Sequence, residues 1–209
     1  MINVVVCDDH AMVRRGIKDA ISEAVDLRVV GEVGSYPELR QVLREVSCDV
    51  LVLDLNMPGR GGLEVLSTLK DEGSAIKTLV VSMYPEDQYA IRCLKAGAMG
   101  YLNKSVEPAE LVAAIRTLMQ GRKYVTQEVA QKLVDSLLSP EAEAPHVSLS
   151  ERELQTLQKM AAGHRLSEIA DELMLSPKTV SVYRARVLQK LGLSNNAELT
   201  AYAIRHSLI

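Results

Sequence analysis

The chain has 209 residues, 47% of them hydrophobic, and a formal net charge of −3. That length allows one or two ordinary cores, and with no compositionally biased tract the chain reads as soluble and globular. No run of about 18 apolar residues is available to cross a bilayer, and the opening MINVVVCDDH has neither the basic stretch nor the cleavage site of a secretory signal. The expected location is therefore cytoplasmic, with no membrane partner.

The charge is uneven: residues 1–145 hold 16 Lys and Arg against 21 Asp and Glu (−5), whereas residues 146–209 hold 8 against 6 (+2). A sign change between halves suggests a polyanionic partner for the second. Cys7, Cys48 and Cys93 are too widely spaced to form a ligand set, so they read as reduced core thiols.

From the start of the chain, INVVVCDD, RVVGEVGS, DVLVLDLN and KTLVVSMY are short runs rich in β-branched residues and GYLNKS is a fifth short strand-like run, and helical periodicity falls at 11–24, 36–46, 62–72, 86–96 and 107–119. Five apolar strands in strict alternation with five amphipathic helices predict a doubly wound α/β domain, a parallel sheet covered on both faces. Pro37, Pro85 and Pro108 lie near helix starts, and Gly73, Gly97 and Gly121 follow helix ends. After this domain, 1–121, a further helix is expected at 126–138. The stretch SPEAEAPHVS has the small, acidic and Pro-containing composition of a linker, placed at 122–146. Residues 147–209 carry no strand pattern and divide into four short helices, 150–162, 166–173, 177–191 and 196–207, giving a small all-α domain. Ser150 with Glu153, Ser176 before Pro177, and Asn195 with Glu198 mark helix starts.

In open parallel sheets, functional groups collect beyond the carboxyl ends of the strands. The residues closing the runs here are Asp8 and Asp9, Asp54, Ser82 and Lys104. If strands one, three, four and five are neighbours, three carboxylates, a hydroxyl and an ammonium meet on one rim. Crowded carboxylates call for a hard divalent cation, with magnesium the best match to oxygen ligands. Metal and lysine together could neutralise a phosphoryl group while a carboxylate oxygen attacks it in line. Taken singly, Asp8 and Asp9 could equally cap the first helix, and Asp54 could open the NMPG turn.

These motifs, CDDH at 7–10, LDLNMPGRGGLEVL at 53–66, VVSMY at 80–84 and AGAMGYLNK at 96–104, resemble the response-regulator receiver domain over residues 2 to 120. The resemblance implies a flavodoxin-like fold with Asp54 as phosphoacceptor. It implies Mg2+ held by Asp9, Asp54 and the backbone carbonyl of Asn56, with Asp8 assisting through water. Ser82 and Lys104 would contact the phosphoryl group, and Tyr101 would be the aromatic switch, moving inward on phosphorylation. His10 is kept on the rim, outside the ligand set. Haloacid-dehalogenase-like phosphatases also attack with an aspartate ending an apolar strand, but they need a second aspartate two residues on. That position is Asn56 here, so a lasting phosphoryl acceptor is favoured over an enzyme that turns over.

In the C-terminal part, SEIADELMLSPKTVSVYRARVLQKLGL reads as helix, turn, helix. At 100° per residue, Val180, Tyr183, Val187 and Leu191 fall on one face of 177–191, and Lys178, Ser181, Val182, Ala185 and Gln189 on the other. Together with LSERELQTLQKMAAG, the stretch resembles the LuxR-type helix-turn-helix, and the pairing with a receiver is that of NarL/FixJ-type response regulators. By that resemblance Ser181, Val182 and Ala185 face bases of double-stranded DNA, while Lys178, Thr179, Tyr183, Arg186 and Lys190 are placed for its backbone. The last helix, with Leu199, Ala203 and Ile204 in a stripe, would pack in the core or form a homodimer. The expectation is a two-component transcription factor phosphorylated by a sensor histidine kinase, with at most slow self-dephosphorylation.

Overall fold

The computed structural model describes residues 1–57, 59–138, 145–206 and 208–209. Two compact units divide after Leu138. Residues 139–144 of the predicted linker 122–146 lie outside the described residues, as does Pro58 of the NMPG turn.

The first unit alternates as expected: β1 (Ile2–Cys7), α1 (Ala11–Ser22), β2 (Leu27–Val33), α2 (Tyr36–Glu45), β3 (Val50–Leu53), α3 (Gly62–Asp71), β4 (Lys77–Ser82), α4 (Glu86–Ala96), β5 (Gly100–Asn103) and α5 (Pro108–Met119). The strands are parallel, in the order β2-β1-β3-β4-β5. Because successive side chains alternate across a strand, Val4, Val6, Val50, Val52, Leu79 and Val81 share one face, where Ile17 and Ile21 of α1 and Leu111, Ile115 and Leu118 of α5 close over them. Val5, Leu51, Leu53 and Val80 are also fully buried, which is why these strands read as unbroken apolar runs. Emptying one such Leu position to Ala would cost roughly 2–5 kcal/mol.

Gly97 ends α4 in the left-handed conformation, φ 118°, as its place after a helical run requires. α6 (Gln127–Leu138) belongs to the first unit and packs on α4. The second unit begins with a 3-10 turn (Pro145–Ser148) and holds α7 (Glu151–Ala161), α8 (Leu166–Glu172), α9 (Pro177–Leu191) and α10 (Asn196–Arg205). Ile169, Ala170, Leu173 and Val180 form the buried seam between α8 and α9. All three anticipated caps are present. Ser150 and Glu153 bond reciprocally as a capping box, and the Ser176 and Asn195 side chains accept the N–H groups of Thr179 and Glu198.

Candidate functional site

Strands β1, β3, β4 and β5 are consecutive and parallel in the sheet, so their carboxyl ends deliver the candidate residues to one rim. β1 ends at Cys7 and β3 at Leu53, which leaves Asp8, Asp9 and Asp54 just beyond the ladder, where side chains are freed from the pleat. The Asp54 N–H donates to the Cys7 carbonyl at 2.9 Å, and the Lys104 N–H donates to the Ser82 carbonyl at 2.9 Å. Backbone pairing therefore fixes the spacing of all four ends.

Lys104 bridges the acids: Nζ lies 2.7 Å from Asp8 Oδ2 and 2.8 Å from Asp54 Oδ2, with side-chain exposures of 7%, 2% and 2%. Burial drives the Asp54 carboxyl above its ordinary range, against the pull of Lys104. For Lys104, burial works against the charge, but the two carboxylates outweigh it and the ammonium is held above its usual range. The Asp8 carboxylate is oriented from its own loop, where the His10 N–H donates to Oδ1 at 2.8 Å. This disposes of the capping reading: the N-cap of α1 is His10, and no side chain caps that helix. Asp54 Oδ1 is buried without a hydrogen-bond partner.

His10 comes closer than a rim position implied. Its side chain is 58% exposed, yet Nδ1 lies 2.6 Å from Asp9 Oδ1, without the alignment of a hydrogen bond. Ligand atoms of Asp8, Asp9, His10 and Asp54 all fall within 4.8 Å of one another, close enough to hold a metal ion.

The loop after Asp54 is pressed against α3. A Cβ at Gly62 would stand 2.4 Å from the Asp54 carbonyl oxygen and 2.8 Å from Leu55 Cα, so only glycine fits there. Beneath the loop, the buried Cys7 thiol donates to Met57 Sδ at 3.2 Å. Burial, with Asp8 and Asp54 nearby, pushes that thiol up to about 12, which keeps it protonated and unreactive.

Ser82 is buried at the end of β4 and its Oγ accepts the Tyr84 N–H at 3.4 Å. The sequence suggests that Tyr101 swings inward on phosphorylation. Here the ring is already inside, 1% exposed, with its hydroxyl donating to the Tyr84 carbonyl at 2.7 Å. Burial pushes this phenol up. Tyr84 itself stacks on Tyr89 of α4, ring centroids 4.5 Å apart. Sequence reading passed over Tyr84 because nothing in a β4–α4 loop advertises a carbonyl acceptor.

In the second unit, the face plotted outward on α9 is outward. Lys178, Ser181, Val182, Ala185, Arg186 and Gln189 are exposed, whereas Val180 and Val187 are fully buried. Thr179 and Tyr183 are half-buried, and the Thr179 hydroxyl pairs with Ser176 Oγ at 2.7 Å within the cap. Arg184, on the inner side, donates to Asn196 Oδ1 at 2.7 Å. Lys190 is not a free cation: its ammonium sits 2.6 Å from Glu153 Oε2, a carboxylate only 3% exposed. Burial acts against that charge, but Lys190 and the Ser150 amide win, and Glu153 is held below the ordinary carboxylate range. On α10, Leu199 and Ala203 are buried but Ile204 is 62% exposed, so it does not share their packing.

A parallel five-stranded sheet with an acidic, lysine-bridged rim, followed by a helix-turn-helix, defines a class. Residues 4–116 match the response regulator receiver domain and residues 147–203 match the bacterial regulatory proteins of the luxR family. The chain therefore belongs to the response regulators, with a receiver domain followed by a LuxR-type DNA-binding domain. It is 39% identical over 209 residues to response regulator UvrY of Escherichia coli (strain K12), spanning 100% of this chain and 96% of that one. Among solved structures it is similar to RcsB from Salmonella enterica serovar Typhimurium bound to promoter rprA in the presence of phosphomimetic BeF3-, with TM-score 0.64, 27% identity, and 96% and 97% of the two chains covered. It is similar too to a structure of two RcsB dimers bound to two parallel DNAs, with TM-score 0.60, 27% identity and the same coverage. No described helix is long and apolar enough to cross a membrane.

Proposed function

We propose that Asp54 accepts a phosphoryl group from a phosphohistidine of a sensor histidine kinase, and that this controls binding of residues 147–209 to double-stranded DNA as a homodimer. One observation carries the reading: Lys104 bridges Asp54 and Asp8 through one oxygen of each, while Asp54 Oδ1 is left without a hydrogen bond. That oxygen is the nucleophile. It attacks phosphorus in line as the P–N bond to the donor imidazole breaks, and the imidazole takes the bonding pair. Lys104, already in place, and Ser82, one loop movement away, meet the phosphoryl oxygens. The site charge changes by roughly −1.

The residues fit a resident magnesium ion: oxygen donors dominate, they lie within bonding reach of a common point, and Asp54 Oδ1 is unsatisfied. Asp9, Asp54 and the Asn56 carbonyl would hold the ion, with Asp8 acting through water, and when bound it neutralises phosphoryl oxygens. Asn56 supplies no proton shuttle, so phosphate is lost only slowly from the chain itself and the protein is not an enzyme.

For the output, Ser181, Val182 and Ala185 face bases, where small apolar groups suit thymine methyls and groove shape. Lys178 and Arg186 meet phosphates, while Thr179 and Tyr183 support them from the flank. Lys190 reaches DNA only by sharing itself with Glu153. The RcsB structures, one bound to a promoter with a phosphoryl mimic and one of dimers on DNA, support the same use here. Functional boundaries follow at 1–121, 122–146 and 147–209, and the location is cytoplasmic.

The test is Asp54→Asn incubated with a phosphoryl donor and Mg2+. The parent takes up label and the variant does not; a variant labelled like the parent would remove Asp54 from this role.

A further inference from the structure

The phosphoryl site and the start of α6 are joined by a short chain of contacts. Ser82 closes β4, the Tyr84 carbonyl accepts the Tyr101 hydroxyl at 2.7 Å, Pro85 is the N-cap of α4, and Glu86 is that helix's first residue. Glu86 reaches across to the residue preceding α6, where its Oε1 accepts the Thr126 hydroxyl at 3.0 Å and the Thr126 N–H at 3.4 Å. Thr126 in turn holds the first turn of α6. Its Oγ1 accepts the Val129 N–H at 3.4 Å and its carbonyl accepts the Ala130 N–H at 3.0 Å. Val129 itself is 2% exposed.

The same segment is fastened a second time, at the edge of the sheet. Tyr124 donates its N–H to the Met99 carbonyl at 2.9 Å and accepts the N–H of Tyr101 at 3.2 Å. A Cβ at Gly100 would stand 2.9 Å from the Tyr124 carbonyl oxygen, so glycine there permits the approach. Two residues apart in sequence, Tyr124 is tied to β5 and Thr126 to α4. Any displacement of the α4 start relative to β5 falls on the Glu86–Thr126 contact, the weaker of the two anchors.

We propose that Glu86 and Thr126 form a latch that closes α6 onto α4 while Asp54 is paired with Lys104, and that phosphorylation opens it. The inference rests on Asp54 being the phosphoacceptor. Drawing the Ser82 hydroxyl toward a phosphoryl group pulls on Tyr84 and Pro85, and through them on Glu86. Since Tyr101 is already inside, the β4–α4 loop is the part left free to respond. The latch is closed with Asp54 an ordinary carboxylate, so a group that favours the displaced loop can only shift the balance toward open. Coupling is reciprocal: breaking the latch by mutation must tighten binding at Asp54 by the factor through which binding there weakens the latch.

Beryllofluoride with Mg2+ serves as the phosphoryl probe on the full chain. Glu86→Ala, which removes the acceptor oxygen, Thr126→Val and the double variant lie outside the phosphoryl site, and Thr126→Val keeps the side-chain shape. Each single variant is expected to bind beryllofluoride roughly 5-fold more tightly than the parent, the low end of ordinary allosteric coupling. The double variant should gain no more than either single, because one contact is being removed. In hydrogen exchange, beryllofluoride should speed the amides of Thr126, Val129 and Ala130 in the parent, and those amides should already be fast in the variants. Unchanged affinity in all three variants, additive gains, or protection at Thr126 to Ala130 that beryllofluoride does not alter would each overturn the latch. Failure of the phosphoacceptor reading looks different: Asp54→Asn would then bind beryllofluoride as the parent does.

Discussion

Around Asp54 the charges are buried and committed, with Lys104 locked between two carboxylates that are almost fully covered. On α9 the outer face is open, and Lys178, Ser181, Val182, Ala185 and Arg186 are exposed. The first region is assembled from four strand ends far apart in sequence, and it is rigid because backbone ladders set its spacing. The second comes from one helix whose inner face is pinned by Val180 and Val187. A site for chemistry needs fixed distances before its substrate arrives. A site for DNA can leave its contacts flexible, since phosphate attraction is long-ranged and order is imposed by the partner. Mutations should therefore damage folding in the first region and only binding in the second.

Lys104→Met gives the largest effect on that contrast. It leaves the Asp8 and Asp54 carboxylates buried without their shared cation, which should cost roughly 3 kcal/mol in urea unfolding. A loss under about 1 kcal/mol would mean the pair behaves like a surface ion pair, and the contrast would fail.

Glu153→Gln tests whether the second unit has a buried anchor of its own. The substitution weakens both the capping box and the Lys190 pair, with an expected loss of roughly 2 kcal/mol. The pH dependence has a definite sign. Because the folded-state value for Glu153 is lowered, its contribution is complete above the ordinary glutamate range and is lost as pH falls through the lowered value. Parent and variant should thus converge in acid, and a gap that widens as pH falls would contradict the assignment.

Lys178→Ala, by contrast, should leave thermal stability unchanged within about 0.5 kcal/mol. It should weaken DNA binding evenly across sequences and lower the salt-dependence slope by about 1. Smallest is Met174→Gly in the turn between α8 and α9. Met174 has φ 52° and is 68% exposed, a conformation that costs a side-chain-bearing residue up to about 1–2 kcal/mol. A gain of about 0.5 kcal/mol is expected after the entropy of glycine is counted, read from the thermal midpoint.

Much of this was legible in the sequence, and for physical reasons. Strands buried on both faces show as unbroken apolar runs, helices announce themselves through caps such as Ser150 with Glu153, and the acids closing DVLVLDLN and INVVVCDD converge once the strand order is fixed. The outer face of α9 follows from periodicity alone. What stayed hidden were partnerships between residues distant in sequence and chosen by tertiary geometry. Lys190 pairs with Glu153 on another helix, so its basic character misrepresents its availability. Ile204 falls on the apolar stripe of α10 by spacing, yet points outward. Tyr101 is read from the sequence as an aromatic switch, but its position depends on a carbonyl at Tyr84 that no side-chain pattern encodes. Helix α6, placed by composition between two domains, is fastened to α4 by Glu86, a residue indistinguishable in sequence from any exposed first-turn acid.

The central claim is that a phosphoryl group on Asp54 controls DNA binding by residues 147–209. Its most direct test is gel-shift affinity over a salt series, with and without a phosphoryl donor, for the parent and Asp54→Asn. The account predicts that donor tightens binding by the parent at every salt concentration and leaves Asp54→Asn unmoved. Equal affinity with and without donor in the parent, or an equal gain in the variant, would contradict it.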